Sequence, residues 1–325
     1  MSLIRSASAL VFGVVISIGA IVSSSAADLP VKAPPPPATP WVFDVHGNFD
    51  LNYQSSRVTG SGLLLYPTSS SLLQPSGGLK LDIYKDPSGF INSFSVYGGT
   101  WFESWLDSPV GARHWTETDW WGGFTVGFAK YWSFTAEYVQ FLFPGGGSVD
   151  NYDATLAFND SSFWPIALNP YVTVWTVANG GPAVPLGSTH GTRVTVGIGP
   201  SVTPWKPIPL TLTFPLAITM APSDFWNRND GTTNFCGTTN TLPCSLNSVG
   251  FVLAGVDAKY MLDAYIPKRL GNWYIKGGVH YFHIANDALL AAQTSVTPGG
   301  TGVVGTFADA HKDIVVLNTG IGFSF

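Results

Sequence analysis

Apolar and polar residues alternate along short segments of the chain from Trp41 onward. The clearest alternation covers residues 43–54, where odd positions are apolar or glycine and even positions are polar from residue 44. Seven further segments repeat the pattern: 118–128, 132–141, 191–199, 209–219, 249–264, 273–284 and 313–325. Successive side chains of a β-strand point to opposite faces, so this period of two predicts strands with one apolar and one polar face.

Weaker alternation at 79–85, 91–104, 151–160 and 170–178 brings the predicted strands to about 12, with 10–14 compatible with the pattern. The connections alternate in length. Short ones fall near 86–90, 129–131, 161–169, 202–207 and 265–272, and long ones near 57–78, 105–117, 144–150, 179–190, 220–248 and 286–312. Short turns at one end and long loops at the other are typical of membrane barrels, and an even strand count places both termini in the periplasm. Residues 41–325 are therefore predicted to form an all-β, transmembrane, antiparallel up-and-down β-barrel.

Charged residues fall on the polar parity of these segments. Because an ionised side chain facing lipid costs about 2–4 kcal/mol at the bilayer midplane, we expect Asp, Glu, Lys and Arg to line the lumen. Extended to the weaker strands, the predicted lumen residues are Asp44, His46, Asp50, Lys80, Asp82, Glu103, Asp119, Glu137, Arg193, Asp257, Lys259, Asp263, Lys276 and His280. Eight of these are acids and four are Lys or Arg. Such an excess predicts a mild cation preference in a conducting lumen, whereas charges that pair across the lumen would fill it.

The composition favours a membrane barrel over a soluble β-sandwich. Only 11% of residues are charged and 14% are aromatic, whereas soluble domains carry about 25% charged residues. Several Trp and Phe residues fall at the predicted strand ends, where a bilayer selects aromatic girdles. The chain has no Lys/Arg cluster, so no nucleic-acid partner is expected.

The first residues have the pattern of a cleavable secretory signal. Arg5 precedes an apolar run over residues 9–22, which is followed by small residues up to Ala26 and Ala27. The run is shorter than the roughly 20 apolar residues of a spanning helix, which disfavours an uncleaved anchor. Cleavage after Ala26 is favoured over cleavage after Ala27, giving a signal peptide of residues 1–26. The proline-rich segment 27–40 then predicts an extended periplasmic leader.

The two cysteines lie close together in a polar loop. Cys236 and Cys244 occupy the long connection 220–248. In an exported chain such a pair predicts one disulfide that staples the loop. No metal site is expected there, because no His lies nearby and two thiolates leave a zinc shell incomplete.

The histidines suggest no catalytic centre. His280 and His283 have opposite parity, so they cannot chelate a metal from one face of a strand. His283 points outward and is the one candidate for chemistry at the lipid face, but the sequence places neither a Ser nor an orienting acid beside it. We therefore expect no enzymatic activity, no metal and no cofactor.

Both ends of the mature chain resemble known outer-membrane proteins. The C-terminal alternation Ile321, Phe323, Phe325 resembles the last strand of bacterial outer-membrane proteins, which their assembly machinery recognises. Residues 27–34, Ala-Asp-Leu-Pro-Val-Lys-Ala-Pro, are similar to the mature start of alphaproteobacterial, rhizobial-type porins and barrel surface antigens. The resemblance implies the outer membrane of a Gram-negative bacterium, with lipid and the barrel assembly machinery as partners.

These features predict a channel for passive diffusion of small solutes, mildly preferring cations. One alternative is a non-conducting structural or surface-antigen barrel whose long loops bind partners. Another is a channel for small apolar molecules, since Trp121, Phe251 and Leu253 share the inward parity. Nothing in the sequence identifies the solute or the oligomeric state.

Overall fold

Twelve antiparallel strands run in chain order and close into a barrel, because the first strand pairs with both the second and the last. The computed structural model describes residues 40–60, 62–65, 71–106, 114–144, 147–180, 191–205, 207–222, 225–226, 247–295 and 310–325. The strands are β1 (Trp41–Gln54), β2 (Leu72–Lys85), β3 (Ile91–Trp105), β4 (Trp115–Phe128), β5 (Trp132–Leu142), β6 (Ser148–Phe158), β7 (Tyr171–Gly180), β8 (Gly191–Ile198 and Ser201–Val202), β9 (Leu210–Thr213 and Leu216–Met220), β10 (Val249–Met261), β11 (Asn272–Ile284) and β12 (Asp313–Ser324). The predicted all-β up-and-down barrel is confirmed.

The two ends of the barrel differ in the segments that lie there. The terminal end is where β1 begins and β12 ends, and the loop end is the opposite one. At the loop end a short helix, α1 (Asp287–Ser295), follows β11. Among the described residues, no helix is long and apolar enough to cross a membrane.

Two neighbouring strands are interrupted by proline. The breaks lie at Pro200 in β8 and Pro215 in β9, where the missing N–H leaves a gap in the ladder. The backbone bridges both gaps: Phe214 N–H donates to the Pro200 carbonyl at 2.8 Å, and Gly255 N–H donates to the Pro215 carbonyl at 2.9 Å. The wall is therefore continuous through the breaks.

Several strand ends differ from the prediction. β2 begins at Leu72 rather than 79, and β4 begins at Trp115 rather than 118. The start of β2 was not predicted because Pro75 lies there, and proline is disfavoured inside a sheet. Pro75 pairs with Leu51 of β1, whereas the β2–β3 pairing skips residues 74 and 75. One ladder thus carries this proline while the other leaves a gap.

The outward face of the barrel is apolar over most of its height. Phe43, Leu79 and Val315 are 70%, 60% and 57% exposed. Cross-strand neighbours share this face, as Leu51 and Ile321 show by their pairing. This continuous apolar belt matches a hydrocarbon surrounding and would be unusually large for a water-soluble protein.

Two acids have outward positions, and one of them lies in a segment where the sequence predicted no outward charge. Asp313 has the outward parity of β12, where no charge was expected. It is the first residue of its strand and lies at the loop end, where polar groups are available. Tyr281 Oη donates to its carboxylate at 2.5 Å. An outward Asp150 in β6 is likewise satisfied by Tyr138 Oη at 2.8 Å, so both acids sit where the apolar belt ends.

The turn between β6 and β7 at the terminal end is held by one carboxylate. Backbone N–H groups of Asn169 and Leu168 donate to Asp160 at 2.9 and 3.0 Å. These bonds, that from Asn169 foremost, lower the pKa of Asp160 below its usual range. The stabilisation is therefore present at neutral pH and is lost as the pH falls through this lowered pKa.

We predict that acid loosens this turn before it affects the strands. Below about pH 4, exchange protection of the Leu168 and Asn169 amides should fall, after correction for intrinsic exchange rates. In Asp160→Asn, the protection should already be weak at pH 7 and should not change on acidification. Equal protection of both proteins at pH 7 would show that the carboxylate does not hold the turn.

Candidate functional site

The lumen carries ion pairs close to the terminal end. Asp82 of β2 contacts Lys80 Nζ at 2.9 Å and His46 Nε2 at 3.2 Å. Asp44 of β1 lies opposite Asp82 in the strand pairing. The adjacent Lys80 lowers the repulsion between these two acids, and the group remains partly exposed to the open end of the lumen.

A second group of charges joins β1 to β11. Lys276 Nζ lies 2.7 Å from Asp50 Oδ1, and Tyr274 Oη donates to the same oxygen at 2.8 Å. Lys259 of β10 places its ammonium 3.7 Å from the centre of the Tyr274 ring. Each cation in this group therefore has an anionic or aromatic neighbour.

A polar cavity of about 390 Å³ adjoins this second group of charges. His280 Nε2 lies 3.0 Å from both carboxylate oxygens of Asp257. Asn318 and the threonines at 211 and 213 complete the polar lining. The cavity holds space for several waters or a small polar solute.

The opposite wall combines acids with aromatic rings. One register row crosses β3 to β8 and carries Tyr97, Glu137, Asp153, Trp175 and Arg193 in that order, with a glycine between Tyr97 and Glu137. Glu137 and Asp153 are direct cross-strand partners of like charge. The guanidinium of Arg193 lies 4.3 Å from the centre of the Trp175 ring. This wall is acidic at its centre, with a cation at one side.

Nearer the loop end, three carboxylates form what is called here the acid cluster: Glu103, Glu117 and Asp119. Their exposed fractions are 1%, 7% and 7%. Glu103 and Glu117 are cross-strand partners, and Asp119 lies next along the same face of β4. Such burial of three acids requires nearby positive charge, protons or hydrogen-bond donors.

A hairpin folded into the barrel supplies the positive charge. In the lumen hairpin, described at residues 57–60 and 62–65, Arg57–Val58 pairs with Leu64–Leu65. Arg57 Nε lies 2.9 Å from Glu103 Oε2, and its guanidinium lies 4.9 Å from the centre of the Trp101 ring. The hairpin is thus fixed to the β3 wall by a buried ion pair.

The other end of the lumen hairpin reaches the opposite wall. Gly62 has a φ of 84°, which favours glycine, and its N–H donates to the Thr59 carbonyl at 2.8 Å. A methyl group on Gly62 would clash with the ring of Phe251 in β10. A methyl group on Gly60 would lie 3.3 Å from the guanidinium of Arg193 in β8. The hairpin therefore spans the lumen from β3 to β8 and β10.

Beside the hairpin, buried apolar side chains form a cluster called here the apolar plug. It joins the hairpin and α1 to the inner faces of β10, β11 and β12, where Phe251, Ile284 and Ile314 point inward. Its members are Val58, Leu64, Ala221, Phe225, Trp226, Phe251, Ile284, Ala288, Leu289, Leu290, Ile314 and Val316. The lumen is consequently filled along this sector of the loop end, while its terminal half is polar.

Helix α1 is tied down by side-chain amides. Asn286 Oδ1 accepts the Ala288 N–H at 2.9 Å, as an N-terminal cap does. Asn286 Nδ2 donates to the Asn247 carbonyl, and Asn247 Nδ2 donates to the Ala285 carbonyl, both at 2.7 Å. Gln293 exchanges two hydrogen bonds with the backbone of His311. Both ends of α1 are thus anchored to neighbouring chain segments.

The structure places thirteen of the fourteen predicted lumen residues on inward positions of β-strands. Asp263 is the exception, because β10 ends at Met261 and the chain turns there, with Leu262 N–H donating to the Trp273 carbonyl. Asp263 lies in that turn, with its carboxylate 3.4 Å from Lys268 Nζ. Its placement in the lumen was wrong, because the alternation continues for three residues beyond the strand.

Sequence reasoning missed charged groups of the lumen for different reasons. Glu117 was assigned to a loop because β4 was predicted to start too late. Asp153 has inward parity in a weak strand, and that parity could have identified it. Arg57 lies outside any barrel strand, so no alternation pointed to it.

His283 has an acidic partner that the sequence did not reveal. It points outward, and its Nδ1 lies 2.7 Å from Asp313 Oδ1 on the neighbouring strand. The sequence alone could not place Asp313 beside His283, because the contact depends on the pairing of β11 with β12. In the described part of the chain, no Ser or Thr hydroxyl bonds to His283, and no group of His, Cys, Asp and Glu could hold a metal.

Three predictions fall outside the described residues. These are the disulfide between Cys236 and Cys244, the signal peptide with its cleavage site at Ala26 and Ala27, and the leader 27–40, of which only Pro40 is described. The C-terminal residues Ile321 and Phe323 lie in β12, and Phe325 follows it, with its N–H bonded to the Gly47 carbonyl at 3.0 Å. Their recognition by an assembly machinery stays a prediction.

Comparison with solved structures finds other barrels at low identity. The NanC porin aligns with 85% of this chain and 98% of its own, at 7% identity and a TM-score of 0.42. The translocator domain of autotransporter NalP from Neisseria meningitidis aligns with 86% of this chain and 88% of its own, at 9% identity and a TM-score of 0.36. The β domain of the Bordetella autotransporter BrkA aligns with 87% of this chain and 100% of its own, at 12% identity and a TM-score of 0.37. No family model and no curated protein matches the chain. At these scores the similarity adds nothing to what the strand pairing shows.

Proposed function

We propose that this protein is an outer-membrane channel for passive diffusion of small solutes, with a mild preference for cations. The observation that carries the proposal is the division of the barrel wall into two faces. The outward face is apolar, whereas the inward face carries charged groups from the terminal end to the acid cluster. A closed barrel with a charged interior offers ions a polar route through hydrocarbon.

The sign of the preference follows from the described charges. The inward strand positions carry nine acids, namely Asp44, Asp50, Asp82, Glu103, Glu117, Asp119, Glu137, Asp153 and Asp257. The bases at such positions are Lys80, Lys85, Arg193, Lys259 and Lys276, and Arg57 of the lumen hairpin adds a sixth. A lumen with excess negative charge concentrates cations over anions.

A second candidate is a non-conducting structural or surface barrel, and the apolar plug favours it. Trp226, Ile284 and Leu289 are fully buried in the loop half. We propose instead that the plug and hairpin are the closed form of a channel, because the hairpin is fixed to β3 through an ion pair, an interaction that solutes can replace.

The export route, the orientation in the membrane and the disulfide are proposed from the sequence. The chain would reach the outer membrane by a signal peptide cleaved after Ala26 and by recognition of its C-terminal strand. Both termini would then lie in the periplasm, with the loop end outside the cell. A disulfide between Cys236 and Cys244 would staple an external loop. No enzymatic role is proposed, since the His283–Asp313 pair has no hydroxyl nucleophile bonded to it among the described residues.

Planar-bilayer recording of the full mature chain tests the proposal. We expect small conductance steps and, in a KCl gradient, a reversal potential of the sign for K⁺ over Cl⁻. Glu137→Gln should reduce this preference, whereas Asp150→Asn, on the outward face, should leave it unchanged. Anion preference would contradict the charge argument. Absence of current both here and in a variant lacking the hairpin would establish the structural barrel.

A further inference from the structure

The acid cluster holds three buried carboxyl groups, and one described cation, Arg57, contacts it. Trp105 Nε1 and Thr116 Oγ1 donate to Glu103 Oε1 at 3.0 and 2.9 Å, whereas Arg57 Nε lies 2.9 Å from Oε2 without hydrogen-bond geometry. Glu117 lies directly opposite Glu103 in the strand pairing. Glu117 and Asp119 lie one residue apart on the same face of β4, and their side chains share a hydrogen bond, which requires a proton on one of the two carboxyl groups.

An unsatisfied atom points to a missing partner. Asp119 is more than nine-tenths buried, and among the described residues no hydrogen-bond donor reaches its Oδ1. Buried carboxylate oxygens without a partner are rare and costly. Asp119 lies opposite Trp101, whose ring the Arg57 guanidinium covers. Asp119 Oδ1, the Glu103 carboxylate that Arg57 contacts and the Trp101 indole thus lie in adjacent register positions.

The resident guanidinium shows which ligand chemistry the cluster recognises. Arg57 combines a carboxylate at 2.9 Å with an aromatic ring at 4.9 Å. A planar, weakly hydrated cation suits both contacts better than a compact metal ion does. Arg193 repeats the combination of guanidinium and indole on Trp175 in the same lumen. Two such pairs indicate a wall suited to organic cations.

We propose that Trp101 and the acid cluster form a binding site for the guanidinium or amino group of a small organic cation, which competes there with Arg57. Occupation by the solute would release the base of the lumen hairpin from β3 and so open the loop half. The opening step rests on the proposed channel function, but the binding step does not. The substrate class would therefore be organic cations rather than inorganic ions alone.

Chemical rescue of Arg57→Ala tests the binding step in detergent, without any current. Guanidinium chloride at about 20 mM, far below denaturing levels, should raise Tm of this variant by about 3 °C relative to NaCl. Urea, which has a similar shape but no charge, should have no such effect. Adding Glu117→Gln and Asp119→Asn to the variant should abolish the shift.

A matched control separates specific binding from ionic effects. Lys80→Ala also removes a lumen cation from an acid, Asp82, but at a site with no described aromatic ring over the cation. Guanidinium should not raise its Tm. An equal rise in Lys80→Ala, an equal rise with urea, or no rise in Arg57→Ala would each overturn the proposed site.

Wild-type protein in bilayers provides the second test, and it does not depend on the variant folding. Agmatine, which carries a guanidinium and an amine, should increase the open time at millimolar concentration, whereas equal NaCl should not. Current that agmatine leaves unchanged would overturn competition with Arg57 while leaving the channel in place. Absence of current both here and in a variant lacking the hairpin would instead remove the channel function, and the Tm shift would then decide the binding site alone.

Discussion

Removing the lumen hairpin should increase the single-channel conductance severalfold. The hairpin crosses from Glu103 on β3 to Phe251 on β10, so it occupies the width of the lumen at that level. Replacing residues 57–65 by a short Gly-Ser linker leaves every barrel strand intact. The same change removes Arg57 while keeping all three acids of the cluster. The preference for K⁺ over Cl⁻ should therefore rise together with the conductance.

The point variant Arg57→Ala separates the two effects. It deletes the positive charge but keeps the apolar contacts of Val58 and Leu64 with the plug. Cation preference should rise, while conductance should increase less than in the linker variant. A linker variant that conducts no better than wild type would mean that other segments close the lumen. The hairpin would then be a structural brace and not the obstruction.

The barrel could be predicted because lipid imposes one simple rule on every strand. Along β1, a side chain meets either hydrocarbon or the lumen, and residues 43–54 report that choice at each position. The register partners of β1 then follow from parity alone, which is how Asp50 and Lys276 were both assigned to the lumen. Strand ends were less well predicted, since Pro75 and residues 262–264 follow local patterns that mislead.

The candidate site could be predicted only in part, because it depends on contacts between distant segments. Parity identified Glu103 and Asp119 but could not show that Arg57 enters the lumen to meet them. Likewise, Asp313 contacts His283 across neighbouring strands, 30 residues apart in the chain. The strand predictions rest on an alternation of polar and apolar residues. The apolar residues of α1 do not alternate in this way, so the segment was assigned to a loop.

Leu289→Ala should release α1 from the barrel wall while leaving the strands in place. Leu289 is 0% exposed at the centre of the apolar plug, so truncation removes about 2–5 kcal/mol of packing free energy. A helix of nine residues has little stability of its own and depends on such packing. Hydrogen exchange should therefore show loss of protection in α1 with unchanged protection in β11 and β12.

Leu270→Ala is the matched control, because Leu270 is 60% exposed and lies in the turn before β11. Its effect on stability should stay within about 0.5 kcal/mol. The plug also contains Val58 and Leu64 of the hairpin, so Leu289→Ala and a Leu64→Ala change should be non-additive. Additive effects would show that α1 and the hairpin move independently. Coupled effects would show that the same buried side chains hold both segments against β10 to β12.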